Sequence, residues 1–307
     1  MGQVGTSLPF VRTLTRPIPL AALVLAGALA AWIITVQRMR GMDAGPGTDL
    51  GGLGWYVGIW VTMMAAMMLP SAAPMVLLFA KVSDDRSRRG QAEFVPTWIF
   101  VAGYLFAWTL YGLLAYGVYR AVISAGTDWL AWERSGRYVA GGALVAAGVF
   151  QLTPLKDVCL RHCRSPLHFL LHDWRQGRAG AFRMGLEHGA FCIGCCWGLM
   201  LALFALGVMS LFWMAIVAAV IFVEKLAPQG ERLVRVFGVT LIALGIWVAS
   251  APASVPGLVQ PDSHGADLAR MRMMGMKPSH EPMRKMNPPA RNEPMQETNP
   301  APSMKMR

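Results

Sequence analysis

Charged residues are scarce in this chain. Asp, Glu, Lys and Arg make up 15% of its 307 residues, whereas soluble globular proteins contain about 25%. Hydrophobic residues make up 55% of the sequence, and the mean hydropathy is +0.43. Apolar runs of about 20 residues recur, which is the length needed to cross a bilayer. The composition excludes an ordinary soluble protein and predicts an all-α, polytopic transmembrane helical bundle.

The sequence also lacks the motifs of the common enzymes and transporters. It contains no residue set typical of hydrolysis or phosphoryl transfer, and the glycine-rich stretch at residues 51–54 has no following Lys-Ser/Thr. It has no ATP-binding domain, and no internal repeat like those of secondary transporters. These absences favour binding over catalysis and argue against active pumping by this chain alone.

Seven stretches have the hydropathy of membrane spans. Arg12 and Arg16 precede the first, which contains Ala28-Leu29-Ala30, so a cleaved signal peptide is an alternative that would leave six spans. The length of this stretch favours a retained helix. The predicted spans are Ile18–Val36, Leu53–Ala80, Val95–Tyr119, Tyr138–Leu155, Leu186–Ala205, Ser210–Val223 and Leu233–Ser250.

The distribution of basic residues predicts the orientation. With the N-terminus inside, 15 Lys and Arg fall in the inner segments of the body of the protein and five in its outer loops. Basic loops stay cytoplasmic, so we expect a multi-pass protein of a bacterial plasma (inner) membrane with a cytoplasmic N-terminus. Anionic lipid headgroups account for the net charge of +11, and no nucleic-acid partner is implied.

The chain divides into three regions by composition. Residues 1–52 contain the first span and an outer loop, residues 53–250 form a membrane-embedded core that contains all five cysteines, and residues 251–307 form a tail. The tail has ten prolines and nine methionines without an apolar period, which predicts disorder. Its eight basic against five acidic residues favour the inside. Seven spans favour the outside, which we adopt because terminal segments follow the charge rule weakly.

Five cysteines fall into two groups that are predicted to lie at the same depth. One group follows the cytoplasmic end of the fourth span, and the other lies about two turns into the fifth. Thiolates and imidazoles bind zinc and softer transition metals, although free cysteine is also a common buried residue, so inert packing remains an alternative. The cysteines and the two histidines beside them are Cys159, His162, Cys163, His188, Cys192, Cys195 and Cys196.

Sulfur-containing side chains share one face of two predicted spans. His188, Cys192, Cys195 and Cys196 have helical spacing that places them on one stripe. The second span repeats this spacing, and its members are Trp60, Met64, Met67 and Met68, with Ser71 continuing the stripe. Buried methionine is more often packing than ligand. Thioethers and thiolates are nevertheless the soft donors that select Cu(I).

Three sequence blocks resemble one protein family. They are "WVTMMAAMMLPSAAPM" from residue 60, "FQLTPLKDVCLRHCRSPLHFL" from residue 150, and "GLEHGAFCIGCCWGLMLALFALGVMSLFWMAIVAAVIFVEK" from residue 185. The chain resembles the predicted metal-binding integral membrane proteins, domain of unknown function 2182, over about residues 55–248. The resemblance implies a multi-span bundle whose Cys, His and Met positions form a metal site, without implying a reaction.

Three functions fit these features. The favoured one is binding of a soft metal ion for storage, delivery or transport, with Cu(I) as the favoured ion and zinc or another transition metal as the alternative. The expected partners are the lipid bilayer, in which the protein lies, and a metallochaperone or a cuproprotein. A membrane thiol–disulfide oxidoreductase using the C-x-x-C and C-x-x-x-C pairs is the alternative, although the cytoplasm is reducing. A structural zinc site would leave the methionines unexplained.

In the copper-handling function, the tail would capture ions outside the membrane. The methionines of the second span would then relay them to the thiols. The expected donors of the tail are Met271, Met273, Met274, Met276, His280, Met283 and Met286.

Other polar residues are predicted to form local structure. Glu187 is expected to stabilise the N-terminus of the fifth span, where a carboxylate is favourable. Glu224 and Lys225 are expected to form an ion pair at the rim of the sixth span, and Lys156 and Asp157 a similar pair.

Overall fold

The computed structural model describes residues 17–125, 131–165, 167, 169–170, 174–227 and 229–274. Within these ranges the chain is helical and contains no β-strand, which confirms the all-α class. Its α-helices are α1 Pro17–Met39, α2 Leu53–Arg88, α3 Thr97–Ser124, α4 Arg137–Gln151, α5 Pro154–Arg164, α6 Gly177–Leu206, α7 Leu211–Leu226, α8 Gly230–Ser250 and α9 His264–Met273.

Five of these helices are long and apolar enough to cross a membrane, namely α1, α2, α3, α6 and α8. The segment that ends in α4 forms a bent pair with α5, and counting the pair as one span gives six. Helix α7 has 16 residues, or about 24 Å, against a hydrocarbon core of about 30 Å. Each predicted span therefore corresponds to a helix, but the fourth and sixth are too short alone.

The bend between α4 and α5 turns a cysteine-bearing helix back into the bundle. Helix α4 ends at Gln151, and Pro154 begins α5 at an angle of 66°. Proline suits the first turn of a helix because its missing N–H would have no partner there. As a result α5, with Cys159 and Cys163, packs against α6 and α7.

Helix α6 is the centre of the bundle and packs against α3, α4, α5 and α7. Its closest approach to α3 depends on glycine, because a side chain at Gly103 would collide with the backbone of Phe182, and one at Gly185 with that of Phe100. Small residues let membrane helices approach closely in this way. The approach places Tyr104 of α3 beside the cysteines of α6.

The two prolines of the second predicted span lie inside one continuous helix. Pro70 and Pro74 are interior residues of α2, which runs for 36 residues. Between them, Ser71 donates a hydrogen bond to the carbonyl of Met68 at 2.9 Å. The helix thus carries its methionine stripe without interruption.

Residues 251–274, the part of the predicted tail that the structure describes, are more ordered than their composition predicts. Helix α9 spans His264–Met273, and the Ser263 side chain caps it by accepting a hydrogen bond from the Ala266 N–H. Ala266 and Ala269 are buried against Ala44. Disorder was the wrong prediction here, because two alanines provide the contact and leave little apolar pattern. Of the predicted tail donors, Met276, His280, Met283 and Met286 lie outside the described residues.

Candidate metal centre

Three thiols from two helices lie in a continuous row. Cys163 Sγ of α5 is 3.7 Å from Cys195 Sγ of α6, which is 3.3 Å from Cys196 Sγ. We call Cys163, Cys195 and Cys196 the thiol row. The sequence placed the two cysteine groups at one depth, and the structure brings them into contact through the bend before α5.

Cys192 lies one turn from the row and contacts two further helices. Its Sγ is 2.9 Å from Lys225 Nζ of α7 and 3.1 Å from the Tyr104 hydroxyl of α3. Its carbonyl accepts a hydrogen bond from Cys195 Sγ at 3.1 Å. Lys225 Nζ also lies 3.5 Å from Ser71 Oγ of α2. A positive charge beside a sulfur stabilises the thiolate, which is the form that binds metals.

A buried ion pair lies at the α4–α5 bend. Lys156 Nζ is 2.6 Å from Glu224 Oε2, and the two side chains are 0% and 2% exposed. Gln151 completes the network by donating to Glu224 Oε1 at 2.7 Å and accepting from Lys156. The network ties α5 to α7. Buried ionisable residues inside a membrane bundle are costly and usually functional.

The ion pairs predicted from adjacent residues are wrong. Glu224 pairs with Lys156 and not with Lys225, which contacts Cys192 instead. Successive residues of an α-helix point about 100° apart, so Glu224 faces α4 and α5 while Lys225 faces α2 and α6. The two residues thus join α7 to four other helices of the bundle.

Cys159 of α5 packs against Gly194, the glycine within the Cys192–Cys196 motif of α6. A methyl group added at Gly194 would lie 2.9 Å from Cys159 Sγ. The thiol of Cys159 is partly exposed, unlike those of α6. The glycine therefore leaves room for α5 to pack closely on α6.

The two predicted histidines have different surroundings. His188 is buried among aromatic rings, with centroid distances of 6.1 Å to Phe100, 5.7 Å to Tyr104 and 6.0 Å to Phe169. Tyr104 connects this pocket to Cys192. His162 is exposed, stacks on Phe191 and contacts the Val158 carbonyl through Nδ1 at 2.9 Å. The structure thus brings neither imidazole into the thiol row.

The sequence predicted that Glu187 stabilises the N-terminus of the fifth span, and this prediction is wrong. Helix α6 begins ten residues earlier, at Gly177. The Glu187 carboxylate instead accepts hydrogen bonds from Arg175 at 3.1 Å and Arg183 at 3.0 Å.

The predicted methionines lie in the same buried core as the thiols. Met64, Met67 and Met68 of α2 are at most 2% exposed. They belong to one packed cluster with the three cysteines of α6. Sulfur atoms of both kinds therefore belong to one buried core.

The donor chemistry of this centre fits a soft metal ion. Two sulfurs that share an ion through bonds of about 2.3 Å lie about 3.8 Å apart in a tetrahedral arrangement, close to the 3.7 Å between Cys163 and Cys195. Among the residues that the structure describes, no three His, Cys, Asp or Glu side chains already surround one ion position. Binding would therefore require side-chain rotation within the row.

Comparison with known families indicates a role in copper handling. A family model described as copper chaperone, PpoB2, matches residues 57–248. The chain belongs to this copper chaperone family. The match supports a copper-handling role and runs from within α2 to within α8, so that it includes all five cysteines, but it does not support the label domain of unknown function 2182. No curated protein and no solved structure matches the chain.

Sequence reasoning missed side chains from other helices, because Lys225 and Tyr104 contact Cys192 and Gln151 joins the nearby ion-pair network. Lys225, Tyr104 and Gln151 were not recognised as parts of the site. A lysine at the end of an apolar span usually extends to the membrane interface. The signal available was the scarcity of charge, because Lys156, Glu224 and Lys225 are three of the few ionisable residues near the apolar segments.

Proposed function

We propose that this chain binds Cu(I) at Cys163, Cys192, Cys195 and Cys196 and delivers it to an acceptor protein. The observation that carries the proposal is the approach of Cys163 on α5 to Cys195 on α6, because it joins two separate cysteine motifs into one donor set. The membership in a copper chaperone family supports copper as the cargo.

The donors support Cu(I) as the oxidation state of the cargo. Thiolates and thioethers are soft ligands that select Cu(I), and the buried core around this centre contains both thiol and thioether sulfurs. Met64, Met67 and Met68 are proposed as weaker donors that pass the ion to the thiols. His188 is proposed as a reserve donor one turn from Cys192.

Delivery would use the exposed side of α5. Cys159 is partly exposed and His162 is exposed, so both can meet an incoming protein. With the predicted orientation in a bacterial plasma membrane, this side faces the cytoplasm. The acceptor would be a metallochaperone or a cuproprotein that offers thiols of its own.

Copper stoichiometry tests the proposal. The full-length protein purified in detergent, loaded with Cu(I) under reducing conditions and washed, is expected to retain copper that Cys192→Ser/Cys195→Ser loses. Cys159→Ser is the matched control, because this thiol lies outside the row and its loss should leave most of the bound copper. Equal copper in wild type and the double variant would contradict the proposal.

A thiol–disulfide relay remains the second candidate, favoured by the contacts between Cys163, Cys195 and Cys196. All five cysteines are free thiols in the structure, and a disulfide would require two sulfurs to close to about 2.05 Å. Alkylation distinguishes the functions. Metal-bound thiols should become reactive together when a Cu(I) chelator is added, whereas a relay should respond to reductant and ignore the chelator.

A further inference from the structure

Methionine and leucine occupy different parts of this protein. Ten of the 14 methionines in the described part of the chain are buried, against nine of the 31 leucines there. Both side chains are apolar and similar in volume, and exchanging them is normally well tolerated. Burial of apolar surface alone would not sort them so strongly. The interior is therefore enriched in thioether sulfur relative to the surface.

The buried methionines gather around the thiols. Eight of the ten belong to the same packed cluster as Cys192, Cys195 and Cys196, and the other two lie in a separate cluster. They come from four parts of the chain besides α2, which supplies half of them. The eight are Met39, Met63, Met64, Met67, Met68, Met200, Met209 and Met214.

Two contacts between helices show at which level of the bundle these methionines lie. Lys225 joins Ser71 to Cys192 at one level, and the rings of Trp60 and Phe204 meet at 5.8 Å at a second level nearer the outer ends of α2 and α6. Four methionines of α2 lie between Trp60 and Ser71 in the sequence. Thioethers therefore fill the interval between the two levels.

Two methionines from other helices enter this interval. Met200 lies one turn beyond Cys196 on the same face of α6, because residues four apart share a face. Met214 precedes Lys225 by 11 residues on α7, or about 16 Å along the helix. Both side chains are 0% exposed. Sulfur donors thus continue from the thiols away from Lys225.

Beyond this interval the series reaches the predicted outer side. Met209 lies in the turn after α6 and Met39 ends α1, and both are buried in the same cluster. Thioethers are uncharged, soft ligands. Such donors suit an ion that moves by exchange between ligands.

We propose that the buried methionines form a Cu(I) path through the bundle, from Met39 and Met209 past Met214 and Met200 to the thiols. The inference rests on the proposed function, since the path ends at the copper-binding cysteines. It adds donors on α1, α6 and α7 to those of α2 and makes the protein a conduit as well as a store. Each step exchanges one thioether for the next without oxidation or reduction of copper.

Transfer into liposomes tests the path. The full-length protein is reconstituted with a membrane-impermeant Cu(I) chelator inside, and Cu(I) is added outside under reducing conditions. Met200→Leu/Met214→Leu is expected to slow copper entry several-fold and to keep the copper content of the thiols. The control is Met75→Leu/Met184→Leu, which changes two equally buried methionines of the separate cluster and should transfer at the wild-type rate.

The outcomes separate this inference from the proposed function. Equal rates for the two double variants, whether normal or reduced, would overturn the path, as would a wild type that admits no copper. Loss of bound copper from wild type would instead refute the thiol site. Thermal unfolding shows whether the Met200→Leu/Met214→Leu protein folds. If it does not, the single variant Met200→Leu replaces it, and we expect a smaller decrease in the rate of copper entry.

Discussion

At the scale of single residues, Gly194 determines how closely α5 can approach the thiols of α6. Its missing side chain leaves space for Cys159, whose sulfur would lie 2.9 Å from an added methyl group. A contact of this length requires the Cys159 thiol to rotate away or α5 to shift. The spacing between Cys163 and Cys195 depends on the same helix pair, so the glycine acts on the metal centre from outside it.

We therefore expect Gly194→Ala to weaken copper binding while the bundle folds. Overpacking of this kind typically costs about 1–3 kcal/mol, and it should separate Cys163 from Cys195. Mild oxidation measures this separation as a slower rate of Cys163–Cys195 crosslinking. Gly142→Ala on α4 is the control, because a methyl group there meets no atom within 4 Å. Identical crosslinking rates in the two variants would refute this role.

The sequence was sufficient for the residues that share a helix face and insufficient for their partners. Helical spacing alone placed Cys192, Cys195 and Cys196 on one buried stripe, and all three are buried. The partner of Cys192 could not be found in this way. Lys225 is adjacent to an acid in the sequence, but its contact with α6 depends on the rotation and tilt of α7, which only tertiary packing determines.

At the scale of helices, the network of Gln151, Lys156 and Glu224 holds α5 in place. Breaking a buried ion pair by removing one partner typically costs about 3–5 kcal/mol, because the other charge stays buried without compensation. Replacing all members by apolar residues costs far less. Variants of this network can therefore separate two effects, namely the placement of α5 and the stability of the whole bundle.

We expect Glu224→Gln to lower the thermal unfolding temperature of the detergent-solubilised protein and to slow Cys163–Cys195 crosslinking. The triple variant Gln151→Leu/Lys156→Met/Glu224→Met should recover most of the unfolding temperature. Asp84→Asn is the control, since it removes the exposed pair with Arg88, and such pairs contribute about 0–1 kcal/mol. A triple variant as unstable as Glu224→Gln would contradict this account.

Hydropathy found the helices of the bundle but not their ends or bends. It placed the fourth span across Leu152–Leu155, where Pro154 starts a new helix at 66°, because a window average does not register a single break. It also missed α9, which is held by two alanines against Ala44. Apolar periodicity detects wide contact faces, and a contact made by two small side chains is too narrow for it.

At the scale of the whole molecule, orientation determines which side the thiols serve. The charge bias of 15 inner to five outer basic residues predicts that α2 runs inward, so that the loop after it is cytoplasmic. The thiol row and the exposed side of α5 would then lie toward the cytoplasm, and the outer methionines toward the opposite side. Copper would move inward along the proposed path.

Reporter fusions test this orientation directly. Fusions after Asp85 and Asp173 should report a cytoplasmic position, and a fusion after Asp128 should report the outside, because basic segments resist translocation. Adding three lysines after Asp128 is the matched perturbation, since it should reduce the outside signal at that site by opposing the natural charge bias. A cytoplasmic signal at Asp128 in the unmodified chain would invert the map. The path would then lead from the cytoplasm to thiols near the outer face, and the protein would deliver copper outward.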